Sequence, residues 1–231
     1  LQLGLVSVEV QAIERDLASG VYIPHNKGEK IERVASYLLS IFDLATLSAE
    51  EQRLLQHFTA LPTEFVPYEL LKTLIPEGEE GGIAPGLQDL ADKGWLLSQA
   101  EPEAYKIHRI IQEVVKRKLP PSVEGLSELI RRVGDLLNID QTKDNPADKS
   151  PVVPYGEAIL LLFPDAKEEV LGYLQNELGR VFQALGDYSA ARALYEKAVH
   201  SAETSLGTDH TDTAIVYSNL GTLLHAQGDY N

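Results

Sequence analysis

The feature that most limits what this chain can become is a repeat. NELGRVFQALGDY (176–188) aligns with SNLGTLLHAQGDY (218–230), which places Leu178 on Leu220, Gly179 on Gly221, Ala184 on Ala226 and Gly186-Asp187-Tyr188 on Gly228-Asp229-Tyr230. The period is 218 − 176 = 42 residues. Self-similarity on a scale of ~20–50 residues marks supersecondary units that bury their apolar faces by stacking. The two copies supply one helical hairpin and the first helix of the next. An array that ends in mid-hairpin exposes an apolar face, and the 231 residues contain no methionine. Both facts point to a piece of a longer polypeptide.

The repeats occupy 166–231, and three segments precede them. Residues 1–46 form a helical segment, and its first helix reads over 1–20, with Leu5, Val8, Ile13 and Leu17 on one face. A connector follows at 20–30, then a helix over about 30–46 whose stripe is Ile31, Val34, Leu38, Ile41 and Phe42. Residues 47–119 carry their own punctuation. Ser48 and Glu51 form a capping box ahead of Leu54, Leu55 and Phe58. A second helix is expected at 67–75, starting on Pro67, and a third at 86–94, ending on a left-handed Gly94. WLLSQA (95–100) and AYKIH (104–108) read as two short strands, and 109–118 as a closing helix. Residues 120–165 are connecting helices at 122–139 and 156–163, separated by the polar loop 140–151.

Composition removes whole classes of function. There are no cysteines, so a disulfide framework, thiolate metal sites and cysteine nucleophiles are excluded, and a reducing cytoplasmic setting is expected. The net charge is 20 − 35 = −15, which repels nucleic-acid backbones and anionic lipid. No apolar run reaches the ~18 residues of a membrane span. The six histidines form no i,i+4 pair, and no H-E-x-x-H or G-x-S-x-G occurs. No metal site and no catalytic constellation is expected.

The repeat resembles the tetratricopeptide repeat in its long, kinesin-light-chain-like form, on Leu178, Gly179, Phe182, Ala191, Tyr195 and Ala198. Gly179 and Ala191 are small where two helices cross, and Tyr195 and Phe182 fill the space between them. Residues 45–62, 65–75, 86–100 and 105–115 resemble the winged-helix region of signal-transducing NTPases with numerous domains, the class that includes NB-ARC proteins. The expected architecture is mainly α: a winged helix with a small β wing, then an α-α superhelix of repeats.

The resemblance implies a cytoplasmic regulatory and sensor segment of such an NTPase, of bacterial type. The winged helix would control a nucleotide-binding domain elsewhere in the same chain, and the repeats would bind a protein or peptide. It further implies that His108, at the end of the second wing strand, contacts the β-phosphate of bound ADP. Arg109 stands where plant-type and apoptotic members of that family carry aspartate. No G-x-x-x-x-G-K-[ST] is present, so no cofactor is expected in this segment, and ADP or ATP with magnesium belongs to the full-length protein.

On the repeats, Asn219, with Gln175, Tyr217 and Thr222 near it, are the candidates for partner contact, since an asparagine amide can pair with both N–H and C=O of a peptide. The structural alternative for Asn219 is a cap or a bridge between neighbouring repeats. A plain repeat scaffold is the second functional reading. A transcriptional regulator is the third, and it is disfavoured because the third helix offers Asp89, Asp92 and Lys93, a net charge of −1.

Overall fold

The computed structural model describes residues 42–76, 82–140 and 142–227. The helix expected over 1–20, the connector at 20–30, residues 30–41 of the helix expected over 30–46, the glycine-rich stretch 77–81 and the second Gly-Asp-Tyr turn at 228–230 lie outside the described residues. The chain divides into two compact units: 42–59 with 63–121, and 122–227 with 60–62. Both are mainly helical, with one small sheet in the first.

The first unit opens with a 3₁₀ turn, Leu44–Thr46, capped by Asp43, where the sequence had suggested the end of a helix. Helix α1 (Ala49–Thr59) follows. Its capping box is reciprocal: the Ser48 N–H donates to Glu51 Oε2 at 2.7 Å, and the Glu51 N–H donates to Ser48 Oγ at 3.2 Å. Helix α2 is Tyr68–Leu74 and α3 is Ala84–Asp92. Gly94 adopts φ +79°, and the Trp95 N–H donates back to Leu90 C=O at 2.9 Å. That left-handed stop turns the chain directly into strand β2 (Leu96–Ala100), which pairs antiparallel with β3 (Glu103–Ile107). The closing helix α4 spans Arg109–Lys118. Leu54, Leu55, Phe58, Leu71, Leu87 and Ile107 are among the fully buried side chains of this unit.

One strand is additional to the expected pair. Val66–Pro67 forms β1 against Tyr105 and Ala104, so the sheet has three strands in the order β1-β3-β2. A two-residue strand carries no alternation to read, and its proline mimics a helix start. The second helix accordingly begins at Tyr68 rather than Pro67.

The second unit contains α5 (Ser127–Leu137), a 3₁₀ segment (Pro146–Val152), α6 (Val153–Leu162), α7 (Glu169–Ala184), α8 (Tyr188–Ser205) and α9 (Thr211–Gln227). Three expectations shift, the first being that the helix read over 156–163 runs Val153–Leu162. The helix read over 122–139 is confined to α5, because Ser122 Oγ instead caps a turn through the Gly125 N–H. Half of the expected polar loop is the 3₁₀ segment, started by Asn145 accepting from the Ala147 N–H. Helix α7 ends at Gly186, φ +85°, and Asp187 caps α8 through the Ala190 N–H at 3.0 Å. Gly186-Asp187-Tyr188 is therefore a stop, a cap and a start in three residues.

Candidate functional site

The repeat unit is built around glycine seats. A Cβ placed on Gly179 of α7 would lie 2.8 Å from Tyr195 Cε1 of α8. Only glycine lets the ring approach this closely, and Tyr195 is fully buried there with its hydroxyl donating to Gln183 Oε1 at 2.8 Å. The same device occurs one helix pair earlier. A Cβ on Gly134 of α5 would lie 2.5 Å from Tyr173 Cε1 of α7, and the Tyr173 hydroxyl donates to Asp135 at 2.8 Å. A third glycine, Gly221 of α9, has nothing within 4 Å of its Cβ position.

A polar network threads the same helices. The Asn219 side chain of α9 donates to Asn176 Oδ1 of α7 at 2.8 Å. Asn176 donates to Glu177 Oε1 at 2.9 Å, and Arg180 pairs with Glu177 Oε2 at 2.7 Å. Arg180 also donates to the Ile139 carbonyl just beyond α5. Glu177 is only 3% exposed. Burial pushes its carboxyl above the ordinary glutamate value, and the Arg180 charge and the hydrogen bonds from Asn176 and Arg180 only partly offset that.

The four candidate contact residues fall in different places. Gln175 is buried and accepts from Ser201 Oγ of α8 at 3.2 Å. Asn219 is half-buried and bridges to α7 as described. Tyr217 is 39% exposed, and its hydroxyl donates to Glu203 of α8. Thr222 is exposed and donates to its own helix at Ser218 C=O, 2.8 Å. Asn219 and Gln175 thus stitch helices together, while Tyr217 and Thr222 remain on the surface. Asn176, Glu177 and Arg180 were not singled out from the sequence. Glu177 precedes Leu178 as Asn219 precedes Leu220, so the repeat alignment held the signal.

In the first unit, His108 is the N-cap of α4. Its Nδ1 accepts from the Ile110 N–H at 3.3 Å, and the residue is 8% exposed. On α3, Asp89 and Asp92 are exposed, and the adjoining Lys93 pairs with Glu51 Oε1 at 2.5 Å. Burial raises the Glu51 carboxyl, but the Lys93 hydrogen bond and the Ser48 contacts outweigh it and hold the group below its ordinary value. Among the described residues, no group of His, Asp or Glu side chains could hold a metal ion, and no helix is long and apolar enough to cross a membrane.

Residues 171–231 match the tetratricopeptide-repeat family, the stretch that holds α7, α8, α9 and their seats. The chain contains tetratricopeptide repeats. It is also 21% identical over 189 residues to a nucleotide-binding leucine-rich repeat (NLR)-like protein of Hyaloscypha variabilis. That alignment covers 78% of this chain and 18% of the relative's length. No solved structure matches the chain.

Proposed function

We propose that this chain is a regulatory and sensor segment of a nucleotide-dependent signalling protein of the STAND class, with its repeats binding a protein partner. The observation that carries this reading is the order of parts. A unit of three helices, a small sheet and a closing helix capped by His108 precedes tetratricopeptide repeats, and most of that length aligns with a relative named for nucleotide binding. In this reading the first unit is a winged helix that docks on a nucleotide domain and favours its closed state, and partner binding to the repeats shifts that equilibrium.

The residues present do not form a nucleotide cradle by themselves. The 231 residues hold no phosphate-binding loop, so ADP or ATP with magnesium would be held by the other domain, with His108 as the contact from the described residues. Because Nδ1 accepts from the Ile110 N–H, a neutral His108 ring carries its proton on Nε2, the nitrogen that would donate to a phosphate. The first turn of α4 beside it favours an anion. The acidic face of α3, whose neighbouring Lys93 is engaged by Glu51, supports a protein-docking role over duplex binding.

The coding sequence upstream of Leu1 tests the reading first: a phosphate-binding loop there supports it, and a reading frame without one overturns it. In the complete natural polypeptide, His108→Ala is expected to lose bound ADP faster than the unaltered protein. Unchanged ADP retention removes His108 from the mechanism. A repeat scaffold without nucleotide switching is the reading left if partner affinity is the same with and without nucleotide.

A further inference from the structure

In the buried polar network of the repeat unit, each bond fixes the direction of the next. Asn219 Nδ2 of α9 donates to Asn176 Oδ1 at 2.8 Å, which turns the Asn176 amide so that its Nδ2 donates to Glu177 Oε1 at 2.9 Å. A reversed Asn176 amide would set donor against donor at Asn219 and acceptor against acceptor at Glu177. The second Glu177 oxygen accepts from Arg180 Nη1 at 2.7 Å, and Nη2 of the same guanidinium donates to the Ile139 carbonyl just beyond α5. The bonds run without a break from α9, across α7, to the end of α5.

Stability alone does not account for this arrangement. A buried ion pair is commonly no better than apolar packing of the same volume, and burial here works against the Glu177 charge. A neutral residue serves at the equivalent position of α9, where the counterpart of Glu177 is Asn219. The counterparts of Asn176 and Arg180 are Ser218 and Thr222, so α9 carries neither the carboxylate nor the guanidinium and ends the chain of bonds rather than repeating it.

We propose that Asn176, Glu177 and Arg180 form a conformational relay that makes the end of α5 depend on the seating of α9. The moving part is the Arg180 side chain, which has two arrangements. With Asn219 seated, Asn176 supplies one donor to Glu177, and Arg180 divides its fork between Glu177 and the Ile139 carbonyl. With Asn219 withdrawn, Asn176 loses the bond that orients it and the carboxylate loses a donor. A carboxylate short of one donor draws a second N–H from the same guanidinium in the two-pronged geometry that Arg favours. Nη2 then leaves Ile139, and the last turn of α5 loses its anchor. Glu177 is the positioning residue, because it accepts from both sides of the relay. The dependence is reciprocal, so a change at the end of α5 alters the seating of α9 by the same factor. The relay lies wholly within the second unit and does not rest on the nucleotide-dependent reading.

The test is a double-mutant cycle on the 231-residue chain, read by amide exchange of Asn138, whose N–H closes the last turn of α5 on the Gly134 carbonyl at 2.9 Å. Asn219→Ala is expected to speed that exchange ~5-fold, within the range of coupled sites. Thr222→Ala, on the same helix and outside the relay, is expected to leave it unchanged. Arg180→Lys keeps a positive charge for Glu177 and lacks the second prong, so it should also speed Asn138 exchange ~5-fold. Adding Asn219→Ala to Arg180→Lys should then produce no further increase, because the link is already cut. Should Asn219→Ala fail to fold, Arg180→Lys alone is read at the Leu223 amide of α9, which is expected to exchange faster although nothing in α9 has changed. Factors that multiply in the double variant, an Asn138 amide indifferent to Asn219→Ala, an equal response to Thr222→Ala, or a Leu223 amide indifferent to Arg180→Lys each overturn the proposal. ADP retention in the complete polypeptide reads the nucleotide-linked function separately.

Discussion

Helices α7 and α9 share a sequence pattern and differ in what covers them. Leu178 and Leu220, Gly179 and Gly221, Val181 and Leu223 occupy equivalent positions. On α7 the leucine, the glycine and the valine are all buried, and a tyrosine ring lies against the glycine. On α9 Leu223 is buried in the cluster with Ala191 and Tyr195, Leu220 packs against its edge, and the glycine faces open space. The same residue therefore has opposite energetic meaning in the two helices. A glycine inside a helix costs ~0.5–1 kcal/mol relative to alanine through backbone entropy. At Gly179 the close approach of Tyr195 compensates, while at Gly221 nothing among the described residues does.

The strongest way to break the comparison is to empty the filled seat. Tyr195→Ala removes a fully buried ring and is expected to destabilise the repeat unit by ~3–5 kcal/mol, the range for deleting a large core aromatic. Amide exchange in α7 and α8 measures this selectively, because the only tryptophan, Trp95, reports on the first unit. Next in size is Gly179→Ala. Its methyl would sit 2.8 Å from a buried ring, an overpacking cost of ~1–3 kcal/mol that exceeds the gain in helix propensity. Gly221→Ala should do the reverse and stabilise α9 by ~0.5–1 kcal/mol. If both glycine changes moved exchange protection in the same direction, the two helices would not differ as the structure describes.

Where the sequence carried local, redundant signals, fold and reading agree. The Ser48–Glu51 capping box, the Gly94 stop, strands β2 and β3 and α4 each rest on a bond made within a few residues, or on a clear period. The crossing of α7 and α8 was legible for the same reason, since a glycine and a tyrosine at repeat spacing imply a close approach. What escaped was long-range. Strand β1 exists only because β3 lies beside it. The bond from Asn219 to Asn176 spans 43 residues, and nothing in either residue alone indicates its partner. The same holds for Gln175, a polar residue that reads as surface until Ser201 of α8 is placed over it. The Arg180 contact with the Ile139 carbonyl depends on how α5 ends, which the sequence read two residues too long.

The smallest expected effect separates the repeats by charge. Glu177 and Asn219 are repeat counterparts, so one position carries a titratable group in α7 and a neutral amide in α9. Burial raises the Glu177 carboxyl in the folded state above its ordinary value of 4.5, which means the folded chain binds the proton more tightly than the unfolded one. Its ionised form therefore costs stability at neutral pH, and this cost is relieved as pH falls through the raised value toward 4.5. Glu51 in the first unit has the opposite sign: it is held below 4.5, contributes stability above that value, and loses it as pH falls further through its folded value. The two windows lie on opposite sides of 4.5, so they can be read apart. Glu177→Gln should abolish the gain in α7 protection between neutrality and pH 4.5 while leaving the first unit's acid loss in place. Glu51→Gln should do the converse, flattening the acid limb read by Trp95 fluorescence. An α7 protection profile indifferent to Glu177→Gln across that window would show that Arg180 and Asn176 compensate the buried carboxylate fully, and that the two repeats are equivalent in charge after all.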